Sequence, residues 1–226
     1  LSNPTGGAAI GTGTATATIT DDDVAGTLSI AGVTIVEGDS GQSLARVAFT
    51  RTGGLGAFSF DLATANGTAT EGVDYVGLAG SVPVSGGVTV FGIDFAIYGD
   101  RLFEGDETFF VNLTNPTSGL ILSNTQATVT ITNDDAQPVI SVANVTLNEG
   151  DTGTTAGAFT VSRSGNSSGA VSASYTITLP GGAGGATSAD VNATLTGTVS
   201  FADGETSATI PFSVVGDYLV EGDETF

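Results

Sequence analysis

The sequence predicts a nearly all-β chain of tandem immunoglobulin-like antiparallel β-sandwiches, with about seven strands in each domain. Three observations predict this fold class. β-branched and other apolar residues alternate with polar ones between glycine-rich breaks, which is typical of short strands and turns. No segment carries apolar residues at sustained helical spacing. The chain also repeats itself at the length of a whole domain.

The internal repeat has two parts with different offsets. Residues 1–23 match residues 113–135 without a gap, at an offset of 112. The segment YGDRLFEGDETF at 98–109 returns as VGDYLVEGDETF at 215–226, at an offset of 117. The five extra residues are expected near 181–185, a Gly-rich stretch where an insertion costs little.

These offsets predict three consecutive segments. Residues 1–23 are expected to be the C-terminal strand of a preceding domain, and residues 24–135 a complete domain. Residues 136–226 are expected to be a domain truncated before its last strand. Because the chain contains no Met, we expect it to be part of a longer protein. Within the complete domain the expected strands include the apolar stripes at 28–36, 45–49, 58–62, 91–97, 109–113 and 127–131.

The composition excludes several classes of function. With 24 acidic and 4 basic residues, the net charge of −20 would repel nucleic acid and anionic membranes and attract cations. No apolar run approaches the roughly 20 residues of a membrane span, so we expect no insertion into a membrane. The absence of His excludes Ser–His–Asp catalysis, and we expect the chain not to be an enzyme. Because the chain contains no Cys and no His, zinc and copper are poor candidates for a bound metal ion.

The carboxylates of the complete domain cluster at the ends of the expected strands. In a sandwich, several strand ends converge on one rim, and like charges a few Å apart take up protons or recruit a cation. The three arginines of this domain are too few to neutralise the cluster. A hard divalent cation with oxygen ligands fits best, and Ca²⁺ is preferred to Mg²⁺ because it accepts about 6–8 flexible oxygen ligands. The clustered residues are Glu37, Asp39, Asp74, Asp100, Glu104, Asp106, Glu107, Asp134 and Asp135.

Three segments of the complete domain resemble the signature segments of Calx-beta domains, a family found in sodium–calcium exchangers and bacterial surface proteins. They are GTATEGVDYV (67–76), GDRLFEGDETFFVNLTNP (99–116) and ATVTITNDD (127–135). The segments stand in the family's order, and the resemblance extends over the whole chain. It implies a seven-stranded sandwich that binds calcium through acidic loops at one rim.

The resemblance also implies a ligand set, carried over motif by motif. In the complete domain the set is Glu37, Asp74, Asp100, Glu104, Glu107, Asp134 and Asp135, with the Leu102 carbonyl as a further ligand. In the following domain it is Glu149, Asp190, Asp217, Glu221 and Glu224, where Asp190 stands in a degraded copy of the GVDY segment. The terminal acidic run of the preceding domain supplies Asp21, Asp22 and Asp23. The complete domain has Asn133 at the first place of that run, which removes one charge and is expected to weaken calcium binding.

The leading functional hypothesis is structural. Ca²⁺ would neutralise the acidic rims and stiffen domain junctions in a secreted or surface-attached repeat protein, so the expected partners are calcium ions and neighbouring domains. One rival is an adhesion module that binds an extracellular protein or glycan. Others are a calcium-sensing regulatory domain, as in exchangers, and a spacer in a large secreted enzyme. In a further alternative, residues 10–23 of one copy complete the last domain of another by strand addition.

Overall fold

The computed structural model describes residues 1–22, 24–220 and 222–226 and confirms the all-β fold class. The described residues contain no helix, and so none that could cross a membrane. The strands are β1 (Thr27–Ile30), β2 (Val33–Val36), β3 (Gly41–Thr52), β4 (Phe58–Asn66), β5 (Ala79–Val84), β6 (Val90–Gly99), β7 (Glu107–Thr114), β8 (Ile121–Leu122), β9 (Gln126–Thr132), β10 (Val139–Val142), β11 (Gly153–Ser164), β12 (Val171–Thr176), β13 (Val191–Ala193), β14 (Thr196–Phe201) and β15 (Ser207–Gly216).

The first unit, residues 24–135, is a sandwich of two sheets. One sheet has the strand order β6-β3-β1-β8 and the other the order β2-β9-β7-β4-β5. Inward-facing side chains of both sheets form one core, in which Phe49 stacks on Phe91 with ring centroids 4.8 Å apart. The alternation of buried and exposed residues along β3 is the expected signature of a strand with one face on the core.

The first expected strand, over 28–36, is two strands that belong to different sheets. β1 pairs antiparallel with β3, whereas β2 pairs parallel with β9. The chain changes sheet at Gly32, where an added Cβ would lie 2.6 Å from the Thr128 carbonyl oxygen. Only glycine permits this close approach, so a residue with a side chain at this position would force β2 away from β9.

The second unit, residues 136–226, repeats part of this arrangement. One sheet has the order β10-β11-β15-β13, and β12 pairs with β14 in another. β4 of the first unit has neighbours on both sides, while β12 has one neighbour among the described strands. The core of the second unit is smaller and is centred on Phe201, Val161 and Ile210.

Residues 1–22 form no strand, and nearly all of them are exposed. The assignment of this segment to a preceding domain, and the limits of the two following domains, stay predictions.

Candidate metal centre

The sheet topology gathers strand ends of the first unit at one rim. β2 and β9 run parallel and end together, since Val36 pairs with Thr132. β7 runs antiparallel to β9 and therefore begins at this rim. β6 ends there as well, where Gly99 pairs with Gly41. The segments that leave or enter these ends carry the predicted ligands Glu37, Asp100, Glu104, Glu107, Asp134 and Asp135, while Asp74 comes from the β4–β5 connection.

The β4–β5 connection is fixed by a tyrosine that sequence reasoning left without a role. The Tyr75 ring is fully buried and stacks on Phe109, with centroids 4.0 Å apart. Its hydroxyl donates to Asn66 Oδ1 at 2.7 Å. The neighbouring Asp74 accepts a hydrogen bond from the Thr70 amide through Oδ2, at 2.7 Å. The GVDY segment contained Tyr75, whereas no signal in the sequence distinguished Asn66.

Three of the predicted ligands present oxygens to a single point. One carboxylate oxygen each from Asp74, Glu104 and Glu107 lies within 4.8 Å of the others. All three side chains are half-buried. Among the residues that the structure describes, this is the one group of three carboxylates with that geometry. Such a set of hard oxygen donors matches Ca²⁺ or Mg²⁺.

Electrostatic interactions connect this triad to the rest of the rim. Burial, followed by the charges of Asp74 and Glu104, raises the pKa of Glu107 to about 7. Glu37 is 7% exposed, and burial raises its pKa to about 7 as well. The carboxylates that add to the rise in the Glu37 pKa are Asp100, Glu104, Asp135 and Asp134. Burial and nearby carboxylates, Asp100 first among them, also raise the pKa of Glu104. The rim therefore holds more negative charge than it stabilises on its own.

Asp135 is the clearest sign that the rim lacks a positive partner. Its Oδ2 is buried and has no hydrogen-bond partner in the part of the chain that the structure describes. Burial and the nearby Asp39 and Asp134 raise the pKa of Asp135, although Arg101 lowers it. A buried carboxylate oxygen without a donor is costly, and a cation would remove that cost.

Asn133 has a structural role in addition to the loss of charge expected from the sequence. Its Oδ1 accepts a hydrogen bond from the Glu104 amide at 3.3 Å, and its Nδ2 donates to the Asp135 carbonyl at 3.1 Å. Asn133 thus ties the loop before β7 to the segment after β9. The hydrogen bond with the Asp135 carbonyl needs an amide donor, so Asp at position 133 would lose it.

The loop that carries Asp100 has a local fold of its own. The Leu102 amide donates to Asp100 Oδ1 at 2.6 Å, which closes a short turn. Arg101 Nη2 lies 3.8 Å from Asp39 Oδ2 across the rim, and both side chains are largely exposed. An ion pair so exposed contributes little stability and leaves most of the rim charge uncompensated.

The second unit brings four of its predicted ligands to one cavity of about 610 Å³, namely Glu149, Asp190, Asp217 and Glu224. Asp190 accepts hydrogen bonds from the amide and hydroxyl of Thr187, and these lower its pKa. The pKa of Glu224 is raised by desolvation and by the charges of Asp190 and Glu149. The degraded GVDY copy therefore still places Asp190 beside Glu224.

Four predicted ligands remain. Asp21 and Asp22 are exposed and precede β1, and neither belongs to the triad group. Asp23 and Glu221 lie outside the described residues.

Together, the fold and the rim define an all-β module with a carboxylate cluster suited to a hard cation. The sequence profile of the Calx-beta domain family matches residues 21–135 and again residues 133–226. The chain therefore belongs to the Calx-beta domain family, as the signature segments predicted. It contains two of these domains in tandem.

The chain is also similar in sequence to a named protein and to solved structures. It is 37% identical over 78 residues to the sodium/calcium exchanger Calx of Drosophila melanogaster, a match that covers 34% of this chain and 8% of the exchanger. Of the solved structures, the apo-form Calx CBD1 domain is 30% identical, with a TM-score of 0.43, and the match covers 48% of this chain and 98% of that one. The CBD12 structure from CALX1.2 is 23% identical, with a TM-score of 0.45, and the match covers 85% of this chain and 77% of that one.

Proposed function

We propose that the rim of the first unit binds Ca²⁺. The observation that carries this proposal is the buried Asp135 Oδ2, which has no hydrogen-bond partner among the described residues and lies among carboxylates whose pKa values are raised by burial and by one another. Oxygen donors on loops suit Ca²⁺, which tolerates irregular coordination of about 6–8 ligands. The similarity to a sodium/calcium exchanger supports the same ion.

The ligands would come in two groups. Asp74, Glu104 and Glu107 already converge on one point and would hold an ion with little rearrangement. Glu37, Asp100, Asp134, Asp135 and the Leu102 carbonyl would supply further oxygen ligands at the rim. The acidic cavity of the second unit offers a further site built from Glu149, Asp190, Asp217 and Glu224.

The role that this binding supports best is the stiffening of a domain junction. The Arg101 carbonyl accepts a hydrogen bond from Asn166 Nδ2 of the second unit. Arg101 is flanked by Asp100 and Leu102, which are both predicted ligands. An ion shared by Asp100 and the rim would fix this loop and, with it, the contact to the second unit. We place this role in a secreted or surface-attached repeat protein, which is consistent with the acidic composition.

A second candidate is calcium sensing, in which the ion changes the angle between the two units. The same Arg101–Asn166 contact favours it, because a loop that rearranges on binding would shift its partner. Small-angle scattering with Ca²⁺ and with EGTA distinguishes the two roles. A stiffened junction narrows the distribution of interdomain distances around an unchanged mean, whereas a sensor moves the mean.

Calorimetric titration of the 226-residue chain with CaCl₂ tests the binding itself. We expect Glu104→Gln to remove the heat of the first-unit site, because Glu104 belongs to the triad. Asp94→Asn is the matched control, since it removes one negative charge at an exposed ion pair on β6 and should bind like the unchanged chain. If millimolar Ca²⁺ gives no heat and leaves the melting temperature equal to that in EGTA, the proposal is wrong.

A further inference from the structure

The connection between β4 and β5 carries Asp74 to the metal centre along an irregular path. Residues 67–78 form no strand, yet their backbone is hydrogen-bonded to both sheets of the first unit. The Ala69 amide donates to the Thr108 carbonyl on β7 at 2.9 Å, and the Tyr98 amide on β6 donates to the Asp74 carbonyl at 2.9 Å. The connection therefore joins the two sheets at the rim.

A tight turn within this connection orients the Asp74 side chain. Its Oδ2 accepts a hydrogen bond from the Thr70 amide at 2.7 Å, and the Asp74 amide donates to the Thr70 carbonyl at 3.0 Å. Because the carboxylate is anchored to the turn, the position of the turn decides how Asp74 faces Glu104 and Glu107, the other two members of the triad.

Asn66 fixes this turn from the end of β4. Its Oδ1 accepts two hydrogen bonds, one from the Tyr75 hydroxyl at 2.7 Å and one from the Glu71 amide at 3.0 Å. The two donors flank residues 72–74, so a single amide oxygen closes the loop that contains Asp74. The Tyr75 ring is fully buried and gives this closure a rigid base. Asn66 itself is exposed, so its side chain contributes little to the core.

The second unit forms the equivalent turn by different means. The Thr187 amide donates to Asp190 Oδ2 at 2.8 Å, and the Asp190 amide donates to the Thr187 carbonyl at 3.2 Å. The next residue, Val191, is buried as Tyr75 is, but it has no hydroxyl to donate. The Thr187 hydroxyl donates to Asp190 Oδ2 at 2.7 Å instead. The turn can thus form from Thr and Asp alone, and in the first unit Asn66 and Tyr75 act on its position.

We propose that Asn66 is a positioning residue of the first-unit calcium site. Its side chain acts through Asp74 and not as a ligand. By holding the Glu71 amide and the Tyr75 hydroxyl together, it keeps Asp74 directed at the other two carboxylates of the triad. This inference rests on the proposed calcium binding and names a residue that shapes the site before the ion arrives. Residues that orient metal ligands in this way contribute about 10- to 100-fold to metal affinity.

Calorimetric titration of the 226-residue chain with CaCl₂ tests the inference. The first-unit site is the binding step that Glu104→Gln removes. We expect Asn66→Ala to weaken this step roughly tenfold. The matched control is Asn112→Ala, because Asn112 Oδ1 also accepts a side-chain hydrogen bond, from Gln126 Nε2 at 2.8 Å, but lies along β7 away from the rim. The control should bind calcium like the unchanged chain.

A double-substitution cycle identifies how Asn66 acts. Tyr75→Phe removes the same hydrogen bond from the donor side and should also weaken the first-unit step. Asn66→Ala added to Tyr75→Phe should then weaken it by less than the product of the two single effects, since both changes remove one shared bond. Single effects that multiply in full would overturn the inference.

Hydrogen exchange in EGTA separates the position of the turn from the binding of the ion. Without calcium, Asn66→Ala should raise the exchange rate of peptides from 67–76 by a larger factor than that of peptides from β3, because the Glu71 amide loses its acceptor. Equal factors for the two regions, or a calcium affinity that Asn66→Ala leaves unchanged, would overturn this inference and leave the proposed calcium function standing. Absence of calcium binding by the unchanged chain would overturn both.

Discussion

The substitution Glu37→Gln should have opposite effects on stability without and with calcium. Burial and the surrounding carboxylates raise the Glu37 pKa from 4.5 to about 7, so the ionised side chain destabilises the folded state. One pKa unit corresponds to about 1.4 kcal/mol, which sets an upper limit of about 3.4 kcal/mol on this cost at pH 8. Allowing for partial solvent screening at the rim, we expect Glu37→Gln to stabilise the calcium-free chain by about 2 kcal/mol.

Calcium should reverse the order of stability of the two chains. At a free concentration 100 times its Kd, a ligand that binds only the folded state adds about 2.7 kcal/mol. The unchanged chain gains this stabilisation, while the chain with Gln at position 37 has lost one charged ligand. A roughly 100-fold weaker affinity limits its gain at the same calcium concentration to about 0.4 kcal/mol, which is too little to keep its lead of about 2 kcal/mol. We therefore expect Glu37→Gln to stabilise in EGTA and to destabilise in saturating Ca²⁺.

Hydrogen exchange read by mass spectrometry measures this effect in the first unit alone. In EGTA at pH 8, peptides from β3 and β7 should exchange roughly 10- to 100-fold more slowly in the Glu37→Gln chain. Asp94→Asn serves as the control, because it removes the same charge far from the core of the rim and should give no calcium-dependent difference. Faster exchange in EGTA, or equal protection by Ca²⁺ in both chains, would refute the reasoning.

Three further perturbations act on the same rim. In EGTA, the raised pKa values of Glu37 and Glu107 stabilise the folded state fully below pH 4.5, and this stability is lost as the pH rises through about 7. The midpoint of urea unfolding should therefore fall between pH 5.5 and pH 8. A midpoint that does not change with pH would contradict this. Asn133→Asp should raise calcium affinity roughly tenfold by calorimetry while lowering the calcium-free melting temperature, because it adds a charge beside Glu104. Tyr75→Phe removes a 2.7 Å hydrogen bond and should cost about 1–2 kcal/mol in urea unfolding; an unchanged midpoint would show that this bond does not fix the loop.

The fold could be predicted wherever one face of a strand is buried. β3 and β7 alternate between core and outer face, and this alternation is visible in the sequence. β5 was not expected, because it lies at a sheet edge, contains Gly80 and Pro83 and is mostly exposed. The division of the first expected strand at Gly32 depends on the distance to a carbonyl in another strand, which no local pattern records.

The candidate site could also be predicted only in part. The identity of its carboxylates followed from motifs at strand ends, which is where the topology gathers them. The supporting contacts did not. The hydrogen bond between the Glu104 amide and Asn133 joins segments 29 residues apart, and the one between Tyr75 and Asn66 depends on the path of an irregular connection. The isolated Asp135 Oδ2 is likewise a property of packing, because an exposed oxygen in the same motif would be hydrated.

The positions of the four arginines explain why the rim needs a cation from outside the chain. Arg51 and Arg163 are buried and donate to turn carbonyls, so their charges fix backbone shape instead of neutralising acids. Arg46 forms its ion pair with an aspartate on β6. Arg101 is the one basic residue at the rim, where it pairs loosely with Asp39. Since the chain has no Lys and no His, the remaining rim charge can be balanced only by protons or by a bound cation. Near neutral pH, where protons are scarce, a divalent ion is the more effective counter-charge, and the stability of the first unit should therefore depend on it.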